Sequence, residues 1–400
     1  MTTPSALGGF WFLYMAGMGM VFSYQSLYLR ENVALAGTQL GLVLAVRPLV
    51  GMVAQPLWGH LSDRTGARSR VLAGITLCSA VAYAVFPLAQ TFPTLVLAMA
   101  LASLFTTAVM PMNTAVTLAA LGPDASHRFG RIRVWGTVGF LASVLALPFV
   151  LAGYQDRLGL ERRAGGPSEP GLELLFWLAA GFSAAAALLA LGRGGTEARS
   201  TRAARGDLGR LLRHPPFRRA LAYGFLCFLF LQGPIQLFPL LVTDRGGSLE
   251  TVSRMWIPMI GLEIPLLLYS GAAIARFGPR TLLAAGVIAD GLRWSLCALT
   301  DDLRVVFALQ LLHGVVVVGM IVGLQLYVES VVPERLRSTA QGVLAMVGPS
   351  VAGMLSNVSA GALLEHVGVA APYAVGGACA LLLGTLTWWV LPAPSRPAES

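Results

Sequence analysis

Four ionisable side chains interrupt long apolar segments of this sequence: Arg47, Glu263, Asp290 and Arg293. A charge at the centre of a membrane-spanning helix costs about 2.5–3.5 kcal/mol on insertion scales, so such residues pair or serve a function. Asp290 and Arg293 are three residues apart, a spacing at which side chains meet on one helix face. Two interpretations stay open: a structural set of ion pairs, and a site that binds substrate and protons.

Uncharged polar side chains also fall inside the apolar segments, and we interpret seven of them as candidates for a solute cavity: Tyr24, Gln25, Asn113, Gln232, Gln236, Gln310 and Asn357. An interhelical hydrogen bond is the alternative role for each of them. Pro234, between two of the glutamines, predicts a local break in its helix. The ionisable side chains Glu263, Arg293, Asp290 and Arg47 are candidates for a proton and charge relay. His313, one turn after Gln310, also falls inside an apolar segment, and a hydrogen-bonded core histidine is the alternative for it.

The segments that carry these residues are long enough to cross a bilayer. Of the 400 residues, 56% are apolar and only 12% are charged, against about 25% charged in soluble proteins, so the solvent must be lipid. A lone span in lipid has to satisfy its backbone internally, which predicts helices. Twelve spans are predicted, at Leu7–Leu29, Thr38–His60, Val71–Leu88, Thr94–Ala119, Val134–Gly153, Leu172–Leu191, Ala220–Val242, Val252–Ala275, Thr281–Leu299, Val305–Val328, Thr339–Leu364 and Ala370–Leu391.

The arginines predict the orientation and the division of the chain. If the N-terminus is cytoplasmic, 19 of the 28 basic residues lie inside, seven lie outside and two lie within spans. The positive-inside rule then predicts that both termini are cytoplasmic. A Gly- and Arg-rich stretch, residues 193–216, is predicted to be a cytoplasmic linker between an N-terminal half, 1–192, and a C-terminal half, 217–400.

A short charged segment recurs after 212 residues. Gly59–Arg68 reads GHLSDRTGAR and Gly271–Arg280 reads GAAIARFGPR, with four identities at equivalent positions. Each copy follows the second span of its half, which indicates an internal duplication of the kind found in transport proteins. Because Ala275 replaces Asp63 in the second copy, we expect the carboxylate to serve gating in the N-terminal half alone.

The segment Gly59–Arg68, preceded by Gln55–Trp58, resembles the signature loop of the major facilitator superfamily. The resemblance implies two pseudo-symmetric six-helix bundles around a cavity that opens to alternate sides. It also implies that the loop acts as a latch, with candidate gating residues Gly59, Asp63, Arg64, Gly66 and Arg68. Further stretches look like the branch of phenylpropionate permeases, nucleoside–proton symporters and lactose permease: Phe10–Tyr14 with Ser26–Arg30, Phe129–Gly136, and Gln310–His313 with Pro333 and Thr339–Gly342.

Lactose permease carries an acid on its eighth helix, an arginine on its ninth, and a histidine and an acid on its tenth. Glu263, Arg293 and His313 occupy the corresponding helices, so the resemblance implies proton coupling through them. Three residues after His313 the sequence has Val316 rather than an acid. We therefore do not carry galactoside specificity over to this chain.

The sequence as a whole predicts a secondary active transporter that moves a small organic solute by alternating access, with proton symport. A proton-driven exporter of hydrophobic compounds is the alternative, and a transport-dead membrane sensor is an alternative of a different class. We expect no enzymatic activity, cofactor or metal. The expected partners are the solute, protons and lipid rather than nucleic acid, for a monomer in a bacterial inner membrane.

Overall fold

The structure is a computed structural model, and it describes residues 4–122, 125–161, 168–191 and 207–393. Regular structure in these ranges is entirely helical. In the first half the helices are α1 (Pro4–Leu27), α2 (Gly37–Thr65), α3 (Arg68–Val85), α4 (Phe92–Leu121), α5 (Ala125–Leu158) and α6 (Leu174–Leu191). A π-helical turn, Tyr28–Asn32, extends α1, and a 3₁₀ turn, Phe86–Leu88, extends α3.

The second half has more and shorter elements. They are α7 (Asp207–Leu212), α8 (Pro215–Asp244), α9 (Leu249–Arg254), α10 (Trp256–Leu299), α11 (Leu303–Leu309), α12 (Leu312–Val315), α13 (Gly323–Val331), α14 (Arg337–Ala345), α15 (Gly353–His366), α16 (Ala371–Thr385) and α17 (Thr387–Val390). Two π-helical segments, Val316–Val322 and Met346–Ala352, connect α12 to α13 and α14 to α15. A 3₁₀ turn, Glu334–Leu336, precedes α14.

Within the described ranges, ten helical segments are long and apolar enough to cross a membrane, and Ala371–Thr385 is a shorter apolar helix. One of the ten, Leu249–Leu299, covers two of the predicted spans. Inside α10, Gly278 has φ 76° and ψ 158°, which are not helical values, so a kink at this residue divides the helix into two parts. A left-handed φ favours glycine because a Cβ would clash there.

The chain forms two compact units. The first contains Met1–Ser200 together with Ser248–Arg254, and the second contains Thr201–Gly247 together with Met255–Ser400. In the first unit α1 packs against α5 and α6, α2 packs against α4, and α3 packs against α4 and α6. In the second unit α10 packs against α12, α13 and α16, and α8 packs against α15 and α16.

Small residues bring these helices into backbone contact, as expected where lipid gives no hydrophobic drive for association. A Cβ added to Gly139 of α5 would lie 2.2 Å from the carbonyl oxygen of Phe12. A Cβ added to Gly286 of α10 would lie 2.1 Å from the backbone nitrogen of Met320. The second contact holds α10 tightly beside the α12 region, where the polar residues lie.

The predicted break at Pro234 is wrong. Helix α8 continues through Pro234 and Pro239, from Pro215 to Asp244. The Ser356 hydroxyl of α15 accepts a hydrogen bond from the backbone nitrogen of Gly233 at 2.7 Å. Proline is tolerated in membrane helices where neighbouring helices contact the local backbone, and α15 makes such a contact beside Pro234.

Candidate functional site

The second unit contains a buried polar cluster centred on Arg293, which is 0% exposed. Its Nε and Nη2 atoms donate to the Gln310 Oε1 atom at 2.9 Å and 2.6 Å. Its Nη1 atom lies 3.0 Å from the His313 Nδ1 atom. The guanidinium carbon also lies 3.9 Å from the centre of the Trp294 ring, a cation–π contact. The arginine is thus held by neutral groups on two elements.

A local irregularity of the backbone positions Gln310. Helix α11 ends at Leu309, residues 310–311 form a turn, and α12 starts at Leu312. The Gln310 Nε2 atom donates to the Val306 carbonyl oxygen at 2.8 Å, which fixes the amide with its oxygen toward Arg293. The following π-helical segment, Val316–Val322, widens the same span, and such segments are frequent at functional sites.

Glu263 lies beside this cluster. A Cβ added to Gly314, the residue after His313, would lie 2.8 Å from the Glu263 backbone nitrogen, so the first part of α10 touches α12 here. The Glu263 side chain is half-buried. The structure therefore places the predicted residues Glu263, Arg293, Gln310 and His313 in one region of the second unit.

Asp290 stands apart from these contacts, although it is 1% exposed. Neither of its carboxylate oxygens has a hydrogen-bond partner among the described residues. The 290/293 spacing allowed an ion pair, but among the described residues Arg293 donates to Gln310 and contacts His313 rather than Asp290. The Asp290 side chain stays within electrostatic range of Arg293 and also of Cys227 on α8.

Arg47 belongs to the first unit, where its side chain is half-buried in α2. Tyr14 of α1 and Tyr83 of α3 lie within electrostatic range of it. The Tyr14 hydroxyl donates to the Thr106 carbonyl oxygen at 2.9 Å. Arg47 thus has a polar surrounding of its own within the first unit.

Three candidates for cavity lining are buried in the first unit. The Tyr24 hydroxyl and the Ser253 hydroxyl both donate to the Val144 carbonyl oxygen at 2.9 Å. The Gln25 Nε2 atom lies 3.8 Å from the Met99 sulfur. Asn113 is 0% exposed in α4. For Tyr24 and Gln25 these contacts are interhelical hydrogen bonds, the structural alternative named for each residue.

The remaining cavity candidates lie on α8 and α15. Gln232 and Gln236 are half-buried in α8, and Asn357 is 3% exposed in α15. A Cβ added to Gly353 would lie 3.3 Å from Gln232 Cγ, so the glutamine packs against the start of α15. Gln232 and Gln236 are one turn apart on α8, and Gln232 thus packs against the helix that carries Asn357.

Both copies of the signature-like loop have a glycine with positive φ at the equivalent position. Gly66 has φ 66° at the end of α2, and Gly278 has φ 76° within α10. In the first copy Arg68 pairs with Asp63 at 2.6 Å. In the second copy Ala275 offers no carboxylate, and Arg280 donates to the Trp388 carbonyl oxygen. The two loops therefore share a positive-φ glycine, although ψ is 0° at Gly66 and 158° at Gly278, and they differ in electrostatics. Gly59 has no side chain, and Arg64 makes no such contact with the residues that the structure describes.

Two features were missed in the sequence. The first is Trp294, whose ring packs against the Arg293 guanidinium. Its position directly after an arginine inside an apolar segment could have indicated this contact. A cavity of about 720 Å³ lies between the starts of α1 and α5. Its lining combines the aromatic residues Phe12 and Trp135 with the bases Arg128 and Arg131.

The fold and the buried polar cluster define a multi-pass, all-helical integral membrane protein of the solute-transporter class. Residues 5–375 match the family model described as the MFS_1 like family. The chain belongs to this family, and its resemblance to the major facilitator superfamily, whose members transport solutes and are not enzymes, is confirmed.

Individual proteins support the same assignment. The chain is 28% identical over 394 residues to the maltose permease of Geobacillus stearothermophilus, covering 97% of this chain and 94% of that one. Its fold is similar to the nucleoside transporter NupG, with a TM-score of 0.82, 17% identity and coverage of 98% and 99%. It is also similar to the xylose transporter XylE from E. coli, with a TM-score of 0.68, 15% identity and coverage of 98% and 97%.

Proposed function

We propose that this chain is a proton-coupled symporter that moves a small organic solute into the cell by alternating access. The observation that carries the proposal is the Arg293 cluster. It combines a buried base and a histidine on neighbouring membrane helices of one unit, with the acid Glu263 beside them. Ionisable residues within membrane spans mark solute and proton pathways. Glu263 is the group that we assign to proton exchange with the solute cavity.

For the solute, we propose a sugar or a sugar-containing molecule such as a nucleoside. The three similar proteins are named for maltose, nucleosides and xylose, and each of these carries a pyranose or furanose ring. Such rings present hydroxyl groups, which amide side chains bind by donating and accepting hydrogen bonds. Gln232, Gln236 and Asn357 of the second unit are the amides that we assign to this recognition.

For the architecture, we propose twelve membrane spans in two six-helix bundles, with residues 1–192 and 217–400 joined by a linker, 193–216. The left-handed Gly278 supports two spans within Leu249–Leu299, and Ala371–Thr385 with α17 supplies a last one. The linker residues up to 206 lie outside the described ranges. We propose cytoplasmic termini on the arginine distribution, and a monomer in a bacterial inner membrane.

The experiment is uptake into proteoliposomes that contain the purified protein. Labelled maltose, xylose and uridine are each offered with an inward proton gradient, and again after a protonophore has abolished the gradient. The proposal expects that one of these solutes accumulates above its external concentration only while the gradient exists. Accumulation that continues after the protonophore is added contradicts the proposal. Export of the solute in everted vesicles, where uptake is expected, also contradicts it.

A further inference from the structure

The cavity between the starts of α1 and α5 is separate from the polar groups that the proposed function uses. Its volume of about 720 Å³ falls within the range of about 300–1,000 Å³ that is usual for small-molecule sites. Its lining in the described part of the chain includes two bases, Arg128 and Arg131, and no acid. Both bases are exposed, and Arg131 forms no salt bridge with a described residue. The cavity is therefore a positively charged recess in the surface of the first unit.

Helices α1 and α5 run parallel beside this cavity. A Cβ added to Gly8 would lie 3.0 Å from Trp135 Cδ1. Further along the two helices, the Ser143 hydroxyl donates to the Ala16 carbonyl oxygen at 2.8 Å, and these residues are 127 apart in sequence, as are Gly8 and Trp135. The constant separation means that the first turns of both helices lie at the same end of the cavity.

The cavity lies on the outer side of α1. Two of its lining residues, Gly9 and Phe12, are three apart and share one face of that helix. A different face carries Phe10 and Tyr14, which belong to a buried cluster with residues of α3, α4 and α6. A Cβ added to Gly9 would lie 3.2 Å from Leu189 Cδ1 of α6. The cavity is therefore a groove outside the core of the first unit, flanked by α5 and α6.

Helix α5 directs its arginines to two faces. The guanidinium carbon of Arg133 lies 4.6 Å from the centre of the Trp11 ring, so this arginine is engaged within the unit. Arg128 and Arg131 instead line the cavity together with Trp135, whose side chain is 52% exposed. The two cavity arginines are thus presented to a ligand at the surface, beside a tryptophan ring.

The lining changes from polar to apolar along the two helices. On α5, Arg128 and Arg131 lie near the helix start at Ala125, and Trp135 follows one turn later. On α1, the lining runs from Ser5 to Leu13, a rise of about 12 Å at 1.5 Å per residue. Tryptophan is enriched at the level of the lipid headgroups. The molecule that fits this gradient has an anionic head and an apolar tail.

We propose that the cavity binds an anionic phospholipid of the surrounding bilayer. The phosphate lies between Arg128 and Arg131, and the first part of an acyl chain lies against Trp135 and Phe12. A guanidinium matches phosphate oxygens with paired donors, and basic pockets between membrane helices on the cytoplasmic side bind anionic headgroups. The arginine distribution predicts that this end of α1 and α5 is cytoplasmic, so the lipid comes from the inner leaflet.

The apolar part of the lining distinguishes a lipid from a free phosphate ion. Beyond the two bases, the walls are formed by side chains such as Phe12, Leu13 and Ile132, which offer no hydrogen bond to a small anion. An acyl chain covers these side chains and removes apolar surface from the headgroup region, where water is present. The site takes no part in the proposed solute or proton pathway.

The first test measures lipid retention by the purified full chain with native mass spectrometry. Phosphatidylglycerol and phosphatidylcholine with identical acyl chains are offered in detergent. We expect the parent to retain phosphatidylglycerol preferentially and the Arg128→Gln/Arg131→Gln protein to bind it about 30-fold more weakly, if each base makes its usual contribution. Binding of phosphatidylcholine should be unchanged. Equal binding of phosphatidylglycerol by the parent and this variant overturns the proposal.

Two controls identify the source of the binding. The Arg70→Gln/Arg218→Gln protein loses the same charge at exposed positions outside the cavity and should bind phosphatidylglycerol like the parent. An equal loss in both double variants would show general charge attraction and overturn the proposed site. Glycerol 3-phosphate, which carries the phosphate without acyl chains, should not displace phosphatidylglycerol. Displacement at equal concentrations would show a site for a soluble phosphate and overturn the lipid assignment.

The second test locates the lipid in a bilayer. A photoactivatable phosphatidylglycerol is included in phosphatidylethanolamine liposomes that contain the protein, and labelled peptides are identified after irradiation. We expect label within residues 5–13 and 128–135 of the parent, and its loss from these residues in Arg128→Gln/Arg131→Gln. Label confined to other segments overturns the proposal.

A further variant keeps the test decisive if the double variant does not fold. Trp135→Gln retains both arginines and alters an exposed side chain, so it should keep the preference for phosphatidylglycerol while binding both lipids more weakly. Unchanged affinity for both lipids would contradict the acyl-chain contact. None of these measurements needs a transported solute, so the lipid site can fail while the proposed function stands, and the reverse also holds.

Discussion

Arg293 and Asp290 lie one helical turn apart on α10, both fully buried, yet the arginine bonds to Gln310 and not to the acid. Two opposite charges at this spacing normally pair. Their separation places the base in the neighbouring polar cluster. The predictions below concern this cluster, its support and the loop that we assign to gating.

Glu263→Gln should abolish solute accumulation driven by a proton gradient and preserve solute exchange. The amide keeps the side-chain volume and its hydrogen-bonding capacity but cannot release a proton. The measurement is uptake against concentration in proteoliposomes, beside exchange at equal concentrations. Glu334→Gln, an exposed acid in the turn before α14, is the control and should behave like the parent. Full gradient-driven uptake by Glu263→Gln removes Glu263 from the mechanism.

Gln310→Ala should destabilise the protein, because it leaves the buried Arg293 without its two amide hydrogen bonds. Hydrogen bonds to charged groups are worth about 1.5–3 kcal/mol, so the loss should be of that order or larger. Thermal unfolding in detergent, followed by tryptophan fluorescence, measures it. Gln90→Ala, which removes one bond to the Pro87 carbonyl oxygen in a loop, should change the unfolding temperature much less. Equal effects of the two variants would show that Gln310 does not support Arg293.

Asp63→Ala should slow transport while solute binding is retained, because the Asp63–Arg68 pair, at 2.6 Å, is the electrostatic element absent from the second copy of the loop. Its side chain is 43% exposed, so the effect on unfolding should be small. The measurements are initial uptake rates and binding by thermal shift. Arg70→Ala, an exposed base on α3, serves as the control. An Asp63→Ala protein that transports as fast as the parent contradicts the gating role.

Gly286→Ala should lower stability by about 1–3 kcal/mol, a typical cost for overpacking, since the new Cβ would meet the Met320 backbone at 2.1 Å. Gly74→Ala on α3 has nothing within 4 Å of the new Cβ and should be neutral or slightly stabilising. Unfolding temperatures in one detergent compare the two. A neutral Gly286→Ala would mean that α10 and the α12 region are not held in backbone contact.

Much of the fold follows from residue type alone. Continuous apolar segments with few charges predict membrane helices, and the described spans overlap the predicted ones from Leu7–Leu29 onward. The recurring Gly66 and Gly278 predicted a turn in each copy, and both glycines have left-handed φ values. What periodicity could not predict were the irregular stretches, the turn at Gln310 and the π-helical segments. They depend on how one helix packs against its neighbours.

The candidate site, like the fold, could be predicted from the sequence only in part. Buried charges marked Asp290, Arg293 and Glu263 as functional candidates, because the cost of a charge in lipid is independent of tertiary detail. Which of them would pair was not predictable, since an arginine side chain reaches partners on several elements. The contact with Gln310 was settled by the backbone turn at residues 310–311, and the sequence carries no periodic signal for it. The helix break predicted at Pro234 failed for a related reason, since it depended on a tertiary contact. The Ser356 hydroxyl, on a helix distant in sequence, accepts a hydrogen bond from the Gly233 backbone N–H beside the proline.

The measurement that tests the central claim most directly is proton movement coupled to solute entry. Proteoliposomes with a pH-sensitive dye trapped inside receive maltose, xylose or uridine on the outside, without any initial pH difference. We predict that entry of the transported solute lowers the pH inside the proteoliposomes. A protonophore should abolish this pH change, and the Glu263→Gln protein should not produce it. Entry of labelled solute with no change of internal pH would contradict proton symport by this chain.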